Sequence, residues 1–265
     1  MIKMNLAISN IAWTAEMDTQ IYNLMKKYGF SGLEIAPTRI FPIAPYDKRE
    51  EAQNWCKELN VNYGFSVVSM QSIWFGRQER IFGSAEERQI LLDYTKNSIC
   101  FAEIMGCNNL VFGCPKNRNI LAGSNPNEAI SFFKKLGDYA AEHGTVIGME
   151  ANPPIYNTNY INDTASAINL IREVKSCGFL LNLDVGTMIC NNENVDILRG
   201  NVSLINHVHI SEPNLKPIEK RKLHSELRQV LTTEGYKDFV SIEMGRVDDI
   251  RILEEKMSYV RSIFG

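Results

Sequence analysis

The stretch GTVIGME, residues 144–150, decides how this chain is read. A glycine able to close a helix precedes a short apolar run, and the run ends on an acid. A run this short, entered through a helix terminator, reads as a strand of a parallel sheet. The same grammar returns in GFLLNLD (178–184) and GYKDFVSIE (235–243). In LINHVHI (204–210) two histidines take the place of the final acid.

Working outward, short apolar runs alternate with helical patterns along the whole chain. Strands are expected at 3–8, 32–35, 64–70, 109–112, 146–150, 179–184, 205–210 and 239–243. Helical patterns occupy 16–28, 48–59, 86–105, 127–142, 164–174, 222–234 and 248–263, and the short polar interval 191–200 is the weakest of the set. Ser84 with Glu87 has the spacing of a capping box, and Asp163 and Thr164 offer acceptors to the next helix start. Gly29, Gly106, Gly144, Gly178 and Gly235 stand where a helical pattern gives way to a strand. No Pro- or Ser-rich linker interrupts the series. Eight strands, each followed by a helix, predict an α/β fold of the (β/α)8 TIM-barrel type, one domain over 1–265. A doubly wound open sheet is the rival, but no G-x-G-x-x-G follows the first strand.

Composition narrows the function. Apolar residues make up 45% of the 265 and charged residues 22%, with a net charge of −3. Lysine and arginine are scattered, so no basic face for a nucleic acid is expected. Six cysteines occur without a C-x-x-C pair, which fits reduced thiols in the cytoplasm. The N-terminal stretch lacks the apolar core of a signal peptide, and no run has the length of a membrane span. A soluble cytoplasmic protein without a membrane partner is expected.

In a barrel the chemistry gathers where strands end and βα loops begin. Strand five ends in Glu150, strand six in Asp184, strand seven near His209 and strand eight in Glu243. Consecutive strands therefore bring three carboxylates and one imidazole to one part of the rim. Unpaired, such a cluster repels itself and takes up a proton. One divalent metal ion is the natural solution. The oxygen-rich donor set favours Mn²⁺, Mg²⁺ or Co²⁺, with Zn²⁺ admissible. His207 and Asn182 share the parity of His209 and Asp184, so they point inward one layer deeper, as supports.

Loop residues supply candidate substrate contacts. Lys116 and Arg118 follow strand four and offer charge to a phosphate or carboxylate. Arg246 follows strand eight and either serves the substrate or pairs with Asp248 or Asp249. His224, early in a helix, is placed to reach over the site or to lie on the surface. Trp13 and Trp74 follow strands one and three, to pack on a sugar face or close the barrel mouth. Glu34 ends strand two as a candidate hydroxyl contact.

The stretches GLEIAP (32–37), LVFGCPKNR (110–118), GMEANP (148–153), LNLDVGTM (181–188), HVHISEP (207–213) and GYKDFVSIEM (235–244) carry a resemblance. The chain resembles the xylose isomerase-like TIM-barrel superfamily, the sugar phosphate isomerase/epimerase group, over essentially its whole length. In ketose 3-epimerases of that group a Glu, Asp, His, Glu quartet binds a divalent metal, often Mn²⁺, and the two glutamates act as acid and base. The resemblance implies those roles for Glu150, Asp184, His209 and Glu243, with Glu150 and Glu243 catalytic. It also marks departures. A substrate-contacting Glu of those enzymes is replaced by Tyr156, a histidine by Thr187, and an arginine by Leu215 with Lys216 beside it.

The expected function is thus a metal-dependent sugar isomerase/epimerase acting on a small carbohydrate, whether ketose, sugar phosphate or sugar acid. Its chemistry is removal of a proton next to a carbonyl, leaving a metal-stabilised ene-diolate. Tyr156 and Lys216 join the candidate substrate contacts. A keto-polyol dehydratase of the inosose or dehydroshikimate type, or a non-catalytic carbohydrate-binding protein, are the alternatives. Phosphodiester cleavage like that of endonuclease IV needs a histidine-rich multi-metal cluster, which four histidines do not supply. Members of the group are commonly dimers or tetramers, so a homo-oligomer is a further expectation.

Overall fold

The computed structural model describes residues 3–265. Eight parallel strands close into a barrel in sequence order, with β1 paired to both β2 and β8. The strands are β1 Asn5–Ser9, β2 Gly32–Ile35, β3 Ser66–Met70, β4 Leu110–Phe112, β5 Ile147–Met149, β6 Phe179–Asp184, β7 Ile205–Ile210 and β8 Phe239–Ile242. The helices are α1 Asp18–Tyr28, α2 Pro37–Ile40, α3 Arg49–Tyr63, α4 Ala85–Met105, α5 Asn127–Glu142, α6 Thr164–Val174, α7 Val185–Cys190, α8 Lys222–Thr233 and α9 Ile250–Phe264. The (β/α)8 TIM barrel read from the sequence is the fold observed. Among the described residues no helix is long and apolar enough to cross a membrane.

Alternation along the strands sorts the side chains. Val208 and Ile210 of β7 and Val240 and Ile242 of β8 are fully buried in the apolar layer shared with the helices. Their neighbours His207, His209 and Ser241 are buried too, on the inner face. Small residues keep that interior passable. A Cβ on Gly148 would stand 2.6 Å from Asn109 Oδ1, and one on Gly32 would stand 2.7 Å from the Phe239 ring.

Two register shifts aim the inner face. Between Leu181 and Asn182 the pairing with β7 slips, so that Asn182 opposes His207 and Asp184 opposes His209. Without the slip Asp184 would oppose Val208, an outward-facing residue, because one residue of register exchanges the faces of a strand. A second shift, between Leu33 and Glu34, places Glu34 opposite Ser69.

Two expectations need correcting. The helix of the sixth connection is α7, which begins directly after Asp184, and 191–200 holds only the 3-10 turn Val195–Leu198. Asp184 itself caps α7, accepting from the Thr187 N–H at 2.7 Å, which lets the helix start without a loop. Gly178 does not provide a positive φ; Lys175 ends α6 in the left-handed region instead. Gly178 is there for space, since a Cβ would fall 2.1 Å from Gly137 O on α5.

Candidate metal centre

Glu150 and Glu243 directly follow β5 and β8, Asp184 ends β6, and His209 is one residue from the end of β7. One donor atom from each of the four lies within 4.8 Å of the others. His209 is fully buried, and the three carboxylates are at most 9% exposed. Its Nδ1 sits between two carboxylates, 3.1 Å from Glu150 Oε1 and 3.1 Å from Glu243 Oε2.

Glu150, Asp184 and His209 are each held by further polar groups around the quartet. Both Glu150 oxygens accept an amide, from Asn182 at 3.1 Å and Asn152 at 3.0 Å. Asn109 donates to Asn182 Oδ1 and so orients that amide. Asp184 accepts from Thr187 Oγ1 at 2.7 Å and from the Ser211 hydroxyl. The far nitrogen of His209, Nε2, lies 2.8 Å from Glu34 Oε2. Glu34 also accepts from Gln71 at 3.0 Å, and His207 Nε2 stands 3.4 Å from the same Oε2.

Crowded charge sets the protonation. Burial, with the charges of Glu150 and Glu34, pushes the Glu243 carboxyl up to about 7 against the pull of His209. Burial and Glu150 likewise raise Asp184. Burial alone would lower the His209 imidazole, but Glu243 and Glu34 outweigh it and hold it well above its ordinary range. Glu34 shows the converse: burial works to raise it, while His209 and His207 hold it well below the carboxylate range. A cluster that draws protons to offset its own negative charge is suited to a cation. Three carboxylates and one imidazole nitrogen fit a single divalent ion with oxygen preference. Glu34, His207 and His209 also lie within 4.8 Å of one another, but they share His209 with the quartet and lie entirely inside the barrel.

The quartet opens on a cleft of about 200 Å³, lined among others by Gln71, Val111, Asn152, Tyr156, Ser211 and Leu215. That is smaller than the ~300–1,000 Å³ of sites for drug-sized ligands, so the space suits a small molecule. Glu212 is at the wall, but its carboxylate is turned to Arg221 at 2.7 and 2.6 Å. The Tyr156 hydroxyl accepts the Asn214 N–H at 2.8 Å and ties the loop after β5 to the loop after β7.

The other expected contacts are placed differently. Arg118 is fully buried and donates to Glu150 O at 2.7 Å, Asn152 Oδ1 at 2.9 Å and Ile161 O at 3.3 Å. It braces the wall of the site and is buried away from the cleft. His224 is buried between α8 and α9, 3.0 Å from the Tyr259 hydroxyl, and does not reach over the mouth. Glu34 lies beneath His209 rather than in the cleft. Trp13 is buried, donates to Asp18 at 2.7 Å under the Arg39 guanidinium and does not line the cleft. Arg246 and Lys216 are exposed and off the cleft, Arg246 lying 3.6 Å from Asp248. Trp74 and Lys116 line a neighbouring cavity instead. Asn152, Ser211 and Gln71 were not singled out in the sequence. Asn152 and Ser211 follow Glu150 and His209 by two positions, so strand parity could have found them.

The family model described as xylose isomerase-like TIM barrel matches residues 22–263. No curated protein sequence matches the chain. Among solved structures, the chain is similar to the apo form of 3-keto-D-glucoside 4-epimerase YcjR from E. coli, with a TM-score of 0.77 and 20% identity over 98% of this chain and 100% of that one. It is similar to an AP endonuclease, family 2, from Brucella melitensis, with a TM-score of 0.75 and 18% identity over 99% and 100% of the two chains. D-psicose 3-epimerase from Clostridium cellulolyticum H10, bound to D-tagatose, gives a TM-score of 0.73 and 15% identity over 98% and 99%. At these identities the likeness is one of fold.

Proposed function

The chain belongs to the xylose isomerase-like TIM-barrel family, and from that premise we propose that it is a divalent-metal-dependent isomerase or epimerase of a small carbohydrate. One observation carries the proposal: two carboxylates, Glu150 and Glu243, bracket the His209 Nδ1 at 3.1 Å each, at the floor of a cleft of about 200 Å³. Two of the similar structures are sugar epimerases, which supports the same class of chemistry. Glu150, Asp184, His209 and Glu243 are the proposed ligands, and Mn²⁺ is the proposed ion because three of the four donors are oxygens. When bound, such an ion supplies Lewis acidity toward a carbonyl and its neighbouring hydroxyl.

The protein's own residues do the rest. Glu150 and Glu243 approach from β5 and β8, so a sugar carbon between them meets a carboxylate from either side. One takes the proton next to the carbonyl and the other returns it, inverting the centre; return to the adjacent carbon gives the aldose–ketose isomer. Asn152 and Asn182 fix the Glu150 carboxylate in one orientation, which keeps its basic oxygen on the reacting carbon. Nucleic-acid cleavage is not part of the proposal, because the quartet holds one histidine and the chain carries a net charge of −3.

The test is product identification by NMR after incubating the Mn²⁺-loaded protein with a panel of ketoses, keto acids and sugar phosphates. A new epimer or the matching aldose supports the proposal. Loss of water with a new enone absorbance assigns a dehydratase instead. Tight sugar binding with no conversion assigns a binding protein.

A further inference from the structure

Beside the metal cleft lies a second cavity of about 340 Å³. Ser72, Cys114 and Pro115 line both cavities, so one ligand can occupy the two together. The ridge between them is unusual in its backbone. Ser72 (φ 55°) and Cys114 (φ 42°) both hold the left-handed conformation although neither is glycine. Such conformations cost free energy and gather where a site needs them.

The second cavity is built as a shelf. Phe75 is 70% exposed, yet it sits on an ordered turn in which its N–H donates to Ser72 O at 2.9 Å. The next turn is closed by Arg77 N–H to Trp74 O at 3.0 Å. The adjacent Trp74, which lines the same cavity, is fixed by its indole N–H on Thr95 at 2.8 Å and by its edge-on contact with Phe112. Phe75 is therefore presented to water from a hydrogen-bonded turn beside a fixed Trp74, an arrangement suited to a flat apolar face laid on its ring. No lining residue of this cavity is acidic, in contrast to the carboxylates of the metal cleft. The lining has one lysine, Lys116, and the Arg77 guanidinium is already paired with Glu79, so a phosphate clamp is missing.

We propose that the substrate has two rings: the reacting sugar between Glu150 and Glu243, and a second, uncharged ring in glycosidic linkage lying on Phe75 and Pro115. The first ring rests on the function proposed above. The second ring is defined by its chemistry, an apolar face with hydroxyls or other acceptors at its edge for Lys116, which a sugar or an aromatic aglycone both present.

Titration calorimetry of the Mn²⁺-loaded protein with D-fructose, lactulose and 4-nitrophenyl β-D-glucopyranoside tests it. At least one two-ring probe is expected to bind about ten-fold more tightly than D-fructose, the yield of one ring-stacking contact. Phe75→Ala removes that gain and leaves D-fructose binding unchanged, while Phe75→Trp retains it. A gain for lactulose alone assigns a sugar to the shelf, and a gain for the nitrophenyl glycoside alone assigns an aromatic ring. Equal affinity for all three probes, or a Phe75→Ala loss that is the same for D-fructose, overturns the proposal. Conversion of single-ring sugars without a two-ring gain would remove the shelf and spare the metal chemistry; a two-ring gain without conversion would do the reverse.

Discussion

Glu34 Oε2 lies 2.8 Å from His209 Nε2, while the other nitrogen of the same ring faces Glu150 and Glu243. The imidazole is thus gripped from below by a fully buried carboxylate on β2 and offered upward to the candidate metal centre. A carboxylate behind a histidine ligand fixes the tautomer and raises the basicity of the free nitrogen. Replacing Glu34 with Gln keeps the shape and removes the charge. Mn²⁺ or Zn²⁺ affinity, read by calorimetry, is expected to fall by about 10–100-fold. Unchanged affinity would mean that Glu34 only fills space.

Arg118 gives a prediction of the opposite kind from its neighbour Lys116. The Arg118 guanidinium is wholly buried and serves three acceptors, among them the Glu150 carbonyl. Truncation to Ala leaves those acceptors without a partner and opens a void. A loss of roughly 3 kcal/mol in unfolding free energy is expected by urea titration, given that hydrogen bonds to a charged group contribute about 1.5–3 kcal/mol each. Lys116→Ala, at an exposed position, is expected to stay within about 0.5 kcal/mol of wild type.

His224 predicts a pH dependence. Burial pushes its imidazole down to about 4, and its Nε2 has no hydrogen-bond partner. As pH falls below about 6.5, the unfolded chain takes up the proton while the folded one does not, so stability falls with pH. The slope approaches ~1.4 kcal/mol per pH unit and the loss ends near the folded value, about 3 kcal/mol in all. Comparing wild type with His224→Leu at pH 7, 6, 5 and 4 isolates this group, because the remaining titrations are common to both. The stability difference between the two proteins should shift in favour of the variant as pH is lowered. A difference independent of pH would show that His224 is protonated in place.

The barrel was legible because the strands are short apolar runs that alternate with helical patterns, and the quartet because its members stand at consecutive strand ends. GTVIGME carries a helix terminator, the strand and its acid within seven residues, whereas GFLLNLD carries only the strand and its acid, its glycine serving close packing instead. The sixth helix was misplaced because α7 spans only Val185–Cys190 and takes its cap from Asp184, a residue already counted for another role. Glu34 was read as a substrate contact because its link to His209 spans 175 residues of sequence, and β2 reaches the site through a register shift. Arg118 was read as a substrate contact because a cation on the loop after a strand is ordinarily free to meet an anion. Its burial depends on carbonyls and an amide more than thirty residues away, which no local pattern reports.

The most direct test of the account follows the proton. The Mn²⁺-loaded protein is incubated in D₂O with substrates that turn over, or with the ketose panel, and deuterium at the carbon next to the carbonyl is read by NMR. Label at that carbon is expected in wild type and lost on chelation of the metal, and epimer formation is lost in Glu243→Gln with Mn²⁺ still bound. Label that persists without metal, an epimer still formed by Glu243→Gln, or no label on any compound despite bound Mn²⁺, would contradict the proton-transfer roles of Glu150 and Glu243.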